Sequence, residues 1–458
     1  MFYSTISETI SLRSNIVNKI YKPALMAGFL MLAGCGGSSE SSTDNKPNLP
    51  VVQEKPKLTF HVKTRTDCGT TPYPNASVVF HDADGNAMAA YMTDSVGFFS
   101  QDVPAGAEHA SVLGVEDYGN NRMGTGDTGK VRKIHTALEI SEGAQLETIE
   151  FFDVTGSCPC QDVTVDFSEL AVTHSDYIIS KFGSGVIEGY QDSTSACGHN
   201  PKLYYSISQP GYDMGKLAVI DVPKASSSVV VTGSDFAHDS VNVPTVHFAE
   251  KSRVHVNGLD SVGEKILLNY DYASEYSNLK IYPSLSSINE LLNYKSVLTY
   301  PEELPVIHSW GVIAHLDNEG KTNEFALPEA QFELAGELTK AVLMQEQGDV
   351  YTYNFTGIDA RLQHATVVLN FELLGSPYKN LKWFVAGGLN SAIPKLTFGE
   401  EFEVFKRSVT RRASLHLSGY DGAPMNVVDY RQYVQKHLGK PSLGDKVFIS
   451  TSQRLNLN

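Results

Sequence analysis

The chain has 458 residues, more than one average domain of roughly 100–200 residues uses, and is 41% hydrophobic, 10% aromatic and 19% charged. That composition excludes a charge-rich disordered chain and a polytopic membrane protein, and points to a soluble body of two or three domains. With 52 acidic and 36 basic residues the formal net charge is -16, which repels phosphate backbones, so no nucleic-acid partner is expected.

The N-terminal segment carries Arg13, Lys19 and Lys22 against Glu8 and runs into the apolar stretch Pro23 to Ala33. Its 11 residues fall short of the roughly 20 a membrane-spanning helix needs, so residues 1–34 read as a signal peptide. Leu32-Ala33-Gly34-Cys35 closes it, placing small residues before a thiol. The stretch from Gly36 to Pro56 is rich in Gly, Ser and Pro without apolar periodicity and reads as a flexible tether with an average reach of about 25 Å.

The Leu32-Ala33-Gly34-Cys35 segment resembles the lipobox of bacterial lipoproteins. The resemblance implies cleavage before Cys35, acylation of Cys35 and insertion of its acyl chains in a bilayer, each buried methylene adding about 0.8 kcal/mol. No Asp follows Cys35, which leans toward the outer membrane. Without residues 1–34, which hold three basic and one acidic residue, the body carries -18.

Four further cysteines remain: Cys68, Cys158, Cys160 and Cys197. An even number in an exported chain suggests two disulfides. Cys158 and Cys160 flank a single proline, too short a span for an unstrained bond, so each seeks a distant partner. Cys68 with Cys158 and Cys160 with Cys197 is the preferred pairing, with the swap as the alternative.

Leu58, Phe60 and Val62 alternate with polar residues and predict a strand. Two strands then flank Asp82-Ala83-Asp84-Gly85-Asn86 as a hairpin. Pro74 and Ala76 before Val78-Val79-Phe80, the Asp-x-Asp-Gly turn, Thr93-Asp94-x-x-Gly97-x-Phe99 and Val103-Pro104-Ala105-Gly106 together look like a carboxypeptidase regulatory-like domain. The likeness covers residues 57–115 and implies a prealbumin-like β-sandwich without catalytic residues.

Short β-like runs continue through 202–208, 216–222, 228–232, 245–248 and 252–256, at the spacing of a sandwich. Val222-Pro223-Lys224-Ala225 and Leu327-Pro328-Glu329-Ala330 echo Val103-Pro104-Ala105-Gly106, a candidate repeat of sandwich modules. Leu285, Ile288 and Leu292 suggest a short helix over 284–292. A new strand series begins near Glu324 and includes 350–355, 365–371 and 382–385. Val427, Tyr430, Val434 and Leu438 predict a helix over 426–438.

No nucleophile elbow, zinc-protease or phosphate-loop motif is present in the sequence. Asp82-x-Asp84-x-Asn86 matches half an EF-hand loop, but Thr93 stands at the twelfth position, so a hairpin turn is preferred over calcium binding. His247 and His255 read as a surface pair rather than a metal site, and Glu401 and Glu403 as a solvated strand face rather than paired acids. Trp310, Trp383 and the face of Tyr351, Tyr353 and Phe355 are candidate stacking rings, with core packing favoured for that face. Lys406-Arg407-x-x-x-Arg411-Arg412 is a compact basic patch suited to anionic headgroups or, on the blander reading, to balancing Glu400, Glu401 and Glu403.

The expected fold is mainly β: tandem antiparallel β-sandwich (prealbumin/Ig-like) domains behind a lipidated N-terminal tether. Residues 1–34 are the signal peptide, 35–56 the tether, 57–160 the prealbumin-like sandwich, and 161–320 and 321–458 a second and third β-rich domain. The expected function is that of a lipid-anchored envelope protein, attached to the bilayer through acylated Cys35, with a non-catalytic structural or binding role toward an envelope protein or a polysaccharide. The alternative is an envelope or extracellular hydrolase, for example on polysaccharide, with its site in 161–458. No catalytic residue, cofactor or metal is assigned.

Overall fold

Leu58, Phe60 and Val62 are buried while His61 and Lys63 are half-exposed, because a pleated strand sends successive side chains to opposite faces. The computed structural model that places them describes residues 55–457, except 67–68, 120–128, 154–158, 183–184, 199, 210–214, 245–251, 260–264, 273–278, 287, 301–304, 323–324, 330–333, 348, 374–377, 379, 399–407 and 438–446. The segment 1–54 with Cys35, and the candidates Cys68, Cys158, His247, Glu401, Glu403, Lys406 and Arg407, lie outside the described residues.

The chain is mainly β. Its first unit comprises β1 (Leu58–Thr66), β2 (Gly69–Pro72), β3 (Ser77–His81), β4 (Ala87–Met92), β5 (Phe98–Gln101), β6 (His109–Asp117), β7 (Lys130–Ala137) and β8 (Ile149–Phe152). β1 pairs antiparallel with β2 and β5 and parallel with β8. This small sheet packs on β4-β3-β6-β7 through a core that includes Phe60, Val78, Phe80, Phe99, Val112 and Phe151. The layers approach so closely at Gly114 that a Cβ there would stand 2.5 Å from the Phe151 ring. The hairpin of β3 and β4 forms where the sequence predicts it. In its turn the Asp82 carboxylate accepts from the Asn86 main-chain N–H at 2.8 Å and from the Asn86 side-chain amide at 3.0 Å.

The second unit contains β9 (Cys160–Asp166), a short helix α1 (Leu170–Thr173), β10 (Ile178–Lys181), β11 (Gly185–Val186), β12 (Gln191–Cys197), β13 (Lys202–Ser208), β14 (Gly215–Asp221), β15 (Ser228–Val230) and β16 (His238–Asp239). Sheet β12-β9-β15 faces sheet β11-β10-β13-β14-β16 across Val163, Val165, Phe167, Tyr205, Ile207 and Ile220. Cys160 and Cys197 are direct partners across β9 and β12 and are disulfide-bonded. The echo between Val103–Gly106 and Val222–Ala225 has a local basis. Pro104 O accepts from Ala107 N and Pro223 O from Ser226 N, each at 3.0 Å, and the third turn residue has φ of 85° at Gly106 and 62° at Ala225. What recurs is a tight turn that requires positive φ at that position.

The remaining elements are β17 (Val241–Asn242), β18 (Arg253–Leu259), β19 (Lys265–Tyr272), β20 (Lys280–Ile281), β21 (Asn289–Thr299), β22 (Val306–Leu316), α2 (Leu334–Gln347), β23 (Tyr351–Asn354), β24 (His364–Leu373), β25 (Asn380–Gly388), β26 (Asn390–Ile393), β27 (Ser408–Tyr420), α3 (Val427–His437) and β28 (Phe448–Asn456). Twelve strands form one sheet in the order β19-β18-β21-β22-β28-β27-β24-β25-β7-β6-β3-β4. Every pairing in it is antiparallel except β25 with β7, which runs parallel and joins the first unit to the C-terminal strands. The lines drawn at 160 and 320 therefore cut across one sheet, because strands from all three segments belong to it.

One face of that sheet buries Leu369, Trp383, Leu415 and Leu455 beneath α2 and the β23–β26 ribbon. Tyr351, Tyr353 and Phe355 belong to this core, and Trp383 is buried with them, donating its indole N–H to Thr136 Oγ1 at 3.0 Å. The opposite face is covered by the first unit's small sheet at one end and by α3 at the other, where Tyr420, Tyr430, Val434 and Phe448 meet.

Two local expectations change. The helix over 284–292 is instead a turn at Tyr282–Ser286 followed by β21, which lies between β18 and β22. A strand buried on both faces has no alternation, and its apolar residues fall at helical spacing by coincidence. Within the region expected to be strands, Leu334, Leu338, Ala341 and Val342 instead form the buried stripe of α2. The C-terminal helix forms as predicted, with the Asn426 side-chain oxygen accepting from Val428 N at 2.9 Å and Asp429 N at 3.2 Å as its N-cap.

Candidate functional site: a basic pocket at a bulge

Consecutive strand residues point to opposite faces, so adjacent arginines cannot ordinarily line one site. At β27 the register shifts: Asn370 of β24 stands opposite Arg412, and the next residue, Phe371, stands opposite Thr410. Arg411 is the extra residue of a β-bulge, a device that re-aims a side chain. Arg411 and Arg412 consequently both line a pocket of about 320 Å³ with Asn370, Asn380, Lys382 and Asn456.

Pairing across the sheet builds the rest. Asn456 of β28, Arg412 of β27, Asn370 of β24, Lys382 of β25 and Lys133 of β7 are successive partners on five adjacent strands, and so occupy one row on one face. Arg412 Nε donates to Asn456 Oδ1 at 3.2 Å, which holds the guanidinium against the sheet. Arg411, more exposed, donates through Nε to Glu372 Oε2 at 2.6 Å. The Asn370 carboxamide oxygen is buried and has no hydrogen-bond donor among the described residues.

Neighbouring lysines on adjacent strands repel unless neutralised. Glu116, at the end of β6, does this: Oε1 accepts from Lys133 Nζ at 2.8 Å and from Phe152 N at 3.2 Å, and Oε2 accepts from the Tyr118 hydroxyl at 2.6 Å. Lys382 Nζ donates to the same Tyr118 oxygen at 3.2 Å. Burial alone would raise the Glu116 carboxyl, but the Lys133 and Lys382 charges and its hydrogen bonds hold it below the usual carboxylate range. Burial, reinforced by Glu116, pushes the Tyr118 phenol well up, so it stays a neutral donor. Among the described residues named here, Lys133, Lys382, Arg411 and Arg412 set against Glu116 and Glu372 leave two positive charges around the pocket. The surrounding body is strongly acidic.

Of the basic patch singled out in the sequence, Arg411 and Arg412 are in the pocket, and Arg411 balances Glu372. The Asp82–Asn86 segment is a turn in which the Asp82 carboxylate accepts from Asn86, and it docks against Thr397 through Gly85 O and Ala87 N. His255 lies within β18, its ring 5.4 Å from Tyr294. Among the described residues no group of three or more His, Cys, Asp or Glu is placed to hold a metal ion, and no helix is long and apolar enough to cross a membrane. No family model, curated protein or solved structure matches the chain.

Asn370, Lys382 and Asn456 carry no local sequence pattern, because their meeting depends on the register of strands 12 to 86 residues apart. The legible cue was narrower: two arginines side by side in a strand that otherwise alternates, which is what a bulge looks like in sequence.

Proposed function

We propose that the protein is a lipid-anchored component of the bacterial cell envelope, acylated at Cys35, whose β body has a non-catalytic role: it binds an envelope partner or an extracellular polymer. The lipobox resemblance at Leu32-Ala33-Gly34-Cys35 supports the anchoring, and Gly36 in place of an Asp after Cys35 supports the outer-membrane placement. The resemblance of residues 57–115 to a carboxypeptidase regulatory-like module supports an accessory rather than a catalytic first unit.

The observation that carries the binding role is the bulge pocket. Its lining supplies two guanidinium groups, an ammonium and three carboxamides, a set that holds and orients a ligand. Among the described residues that line it there is no hydroxyl, thiol, imidazole or carboxylate to act as nucleophile or general base, which is why binding is preferred to hydrolysis at this site.

A photo-crosslinking residue in place of Asn380, on the pocket wall, tests this in cells. It should capture an envelope component that the same residue in place of Val172, 86% exposed on the second unit, does not. Equal capture from both positions would overturn the assignment of the pocket as the binding surface.

A further inference from the structure

The chemistry of the pocket narrows its ligand. A carboxylate brings one negative charge, whereas a phosphate monoester brings about -1.5 to -2 at neutral pH and three acceptor oxygens. Among the described residues, Lys133, Lys382, Arg411 and Arg412 leave two positive charges at the cavity after Glu116 and Glu372 are counted. Arg411 and Arg412 present planar forks of N–H donors suited to two oxygens each, and Lys382 adds a point charge from the floor. Three separated cationic groups are more than one planar carboxylate can engage at once, and they match a tetrahedral group. A pocket of about 320 Å³ has room for the group and the small unit that carries it.

The surroundings are consistent with an anion site that works when vacant. Glu372 occupies the outer guanidinium of Arg411 at 2.6 Å, an exposed contact that an incoming anion can replace at little cost because such surface pairs contribute weakly. Lys382 Nζ donates to the Tyr118 hydroxyl at 3.2 Å, and its side chain lines the pocket.

We propose that the Arg411–Arg412 pocket binds a phosphate monoester group, free or carried on a saccharide or lipid headgroup. This rests on reading the pocket as the binding site of an envelope protein. The two are separable, since acylation at Cys35 and phosphate binding at the bulge can each fail without the other.

The test is calorimetric titration of the full chain, solubilised in detergent, with inorganic phosphate, glucose 6-phosphate, and phosphatidic acid in mixed micelles, using acetate for comparison. Phosphate should bind saturably and acetate at least ~10-fold more weakly, as expected when charge-assisted hydrogen bonds are lost. Tighter binding of glucose 6-phosphate than of phosphate identifies a saccharide source, and tighter binding of phosphatidic acid a lipid headgroup. Arg411→Gln with Arg412→Gln should weaken binding at least ~10-fold. Glu372→Gln, which removes the competing carboxylate, should tighten it several-fold, an effect that misfolding cannot produce. Absence of saturable binding to all three phosphates, acetate binding as tight as phosphate, or unchanged affinity in the Glu372→Gln variant would overturn the proposal.

Discussion

Arg431 in α3 donates to the carbonyl of Leu138, 293 residues earlier, at 2.8 Å. The same guanidinium reaches Glu139 O and Ala386 O, each at 3.1 Å. These carbonyls lie at the ends of β7 and β25, where the parallel pair joins the first unit to the C-terminal strands. A helix near the chain's end thereby fastens the seam on which the twelve-stranded sheet depends.

Replacing Arg431 with Met should keep the aliphatic packing but leave three carbonyls without their charged donor, at a cost of about 3 kcal/mol. Denaturant unfolding measures it. A variant as stable as the wild type would show that water satisfies the seam equally well.

The disulfide of the second unit links neighbouring strands at a separation of 37 residues. Constraining the unfolded chain over such a loop stabilises by about 3–4 kcal/mol. Cys160→Ala with Cys197→Ala should lower the melting temperature and open the second unit to proteolysis first. Unchanged melting would mean that the β9–β12 pairing holds without the crosslink.

His81 and His416 are among the histidines buried as neutral rings. Burial, aided by the charge of His109, pulls His81 down to about 4, and burial with Arg454 nearby does the same to His416. Unfolded histidine takes up its proton near 6.5, so between pH 6.5 and 4 the unfolded state binds more protons and the fold loses stability as pH falls. The loss is about 1.4 kcal/mol per pH unit for each ring. Replacing His416 with Gln should flatten the slope of stability against pH over that window; an unaltered slope would mean that His416 is not neutral in the fold.

Glu116 acts in a lower window. Its folded pKa lies below the unfolded 4.5, so the stability it contributes is present at neutral pH and is lost as pH falls below that value. Glu116→Gln should cost about 3–5 kcal/mol by leaving Lys133 and Lys382 buried together, and Lys133→Met in the same chain should restore most of it. A single substitution without cost would refute the neutralising role.

The sequence makes strands such as β1 and β13 legible, because each buries one face and alternates accordingly, and Cys160 with Cys197 is the preferred pairing. It hides what depends on register. β21, buried on both faces, mimics a helix, and the β7–β25 pairing that merges the segments leaves no local trace; α2 differs, since Leu334, Leu338, Ala341 and Val342 carry the helical period within a stretch expected to be strands. The pocket shows the same division. Arg411 and Arg412 stand out as neighbours, whereas Lys382 and the three asparagines come together only when four strands align.

We propose that Cys35 holds this acidic β body in the envelope. Metabolic labelling with an alkyne fatty acid, applied to cells making the wild type and the Cys35→Ser variant, is the decisive measurement. The wild type should be labelled and processed, and the variant neither. Label retained by the variant, or absent from the wild type, would contradict it.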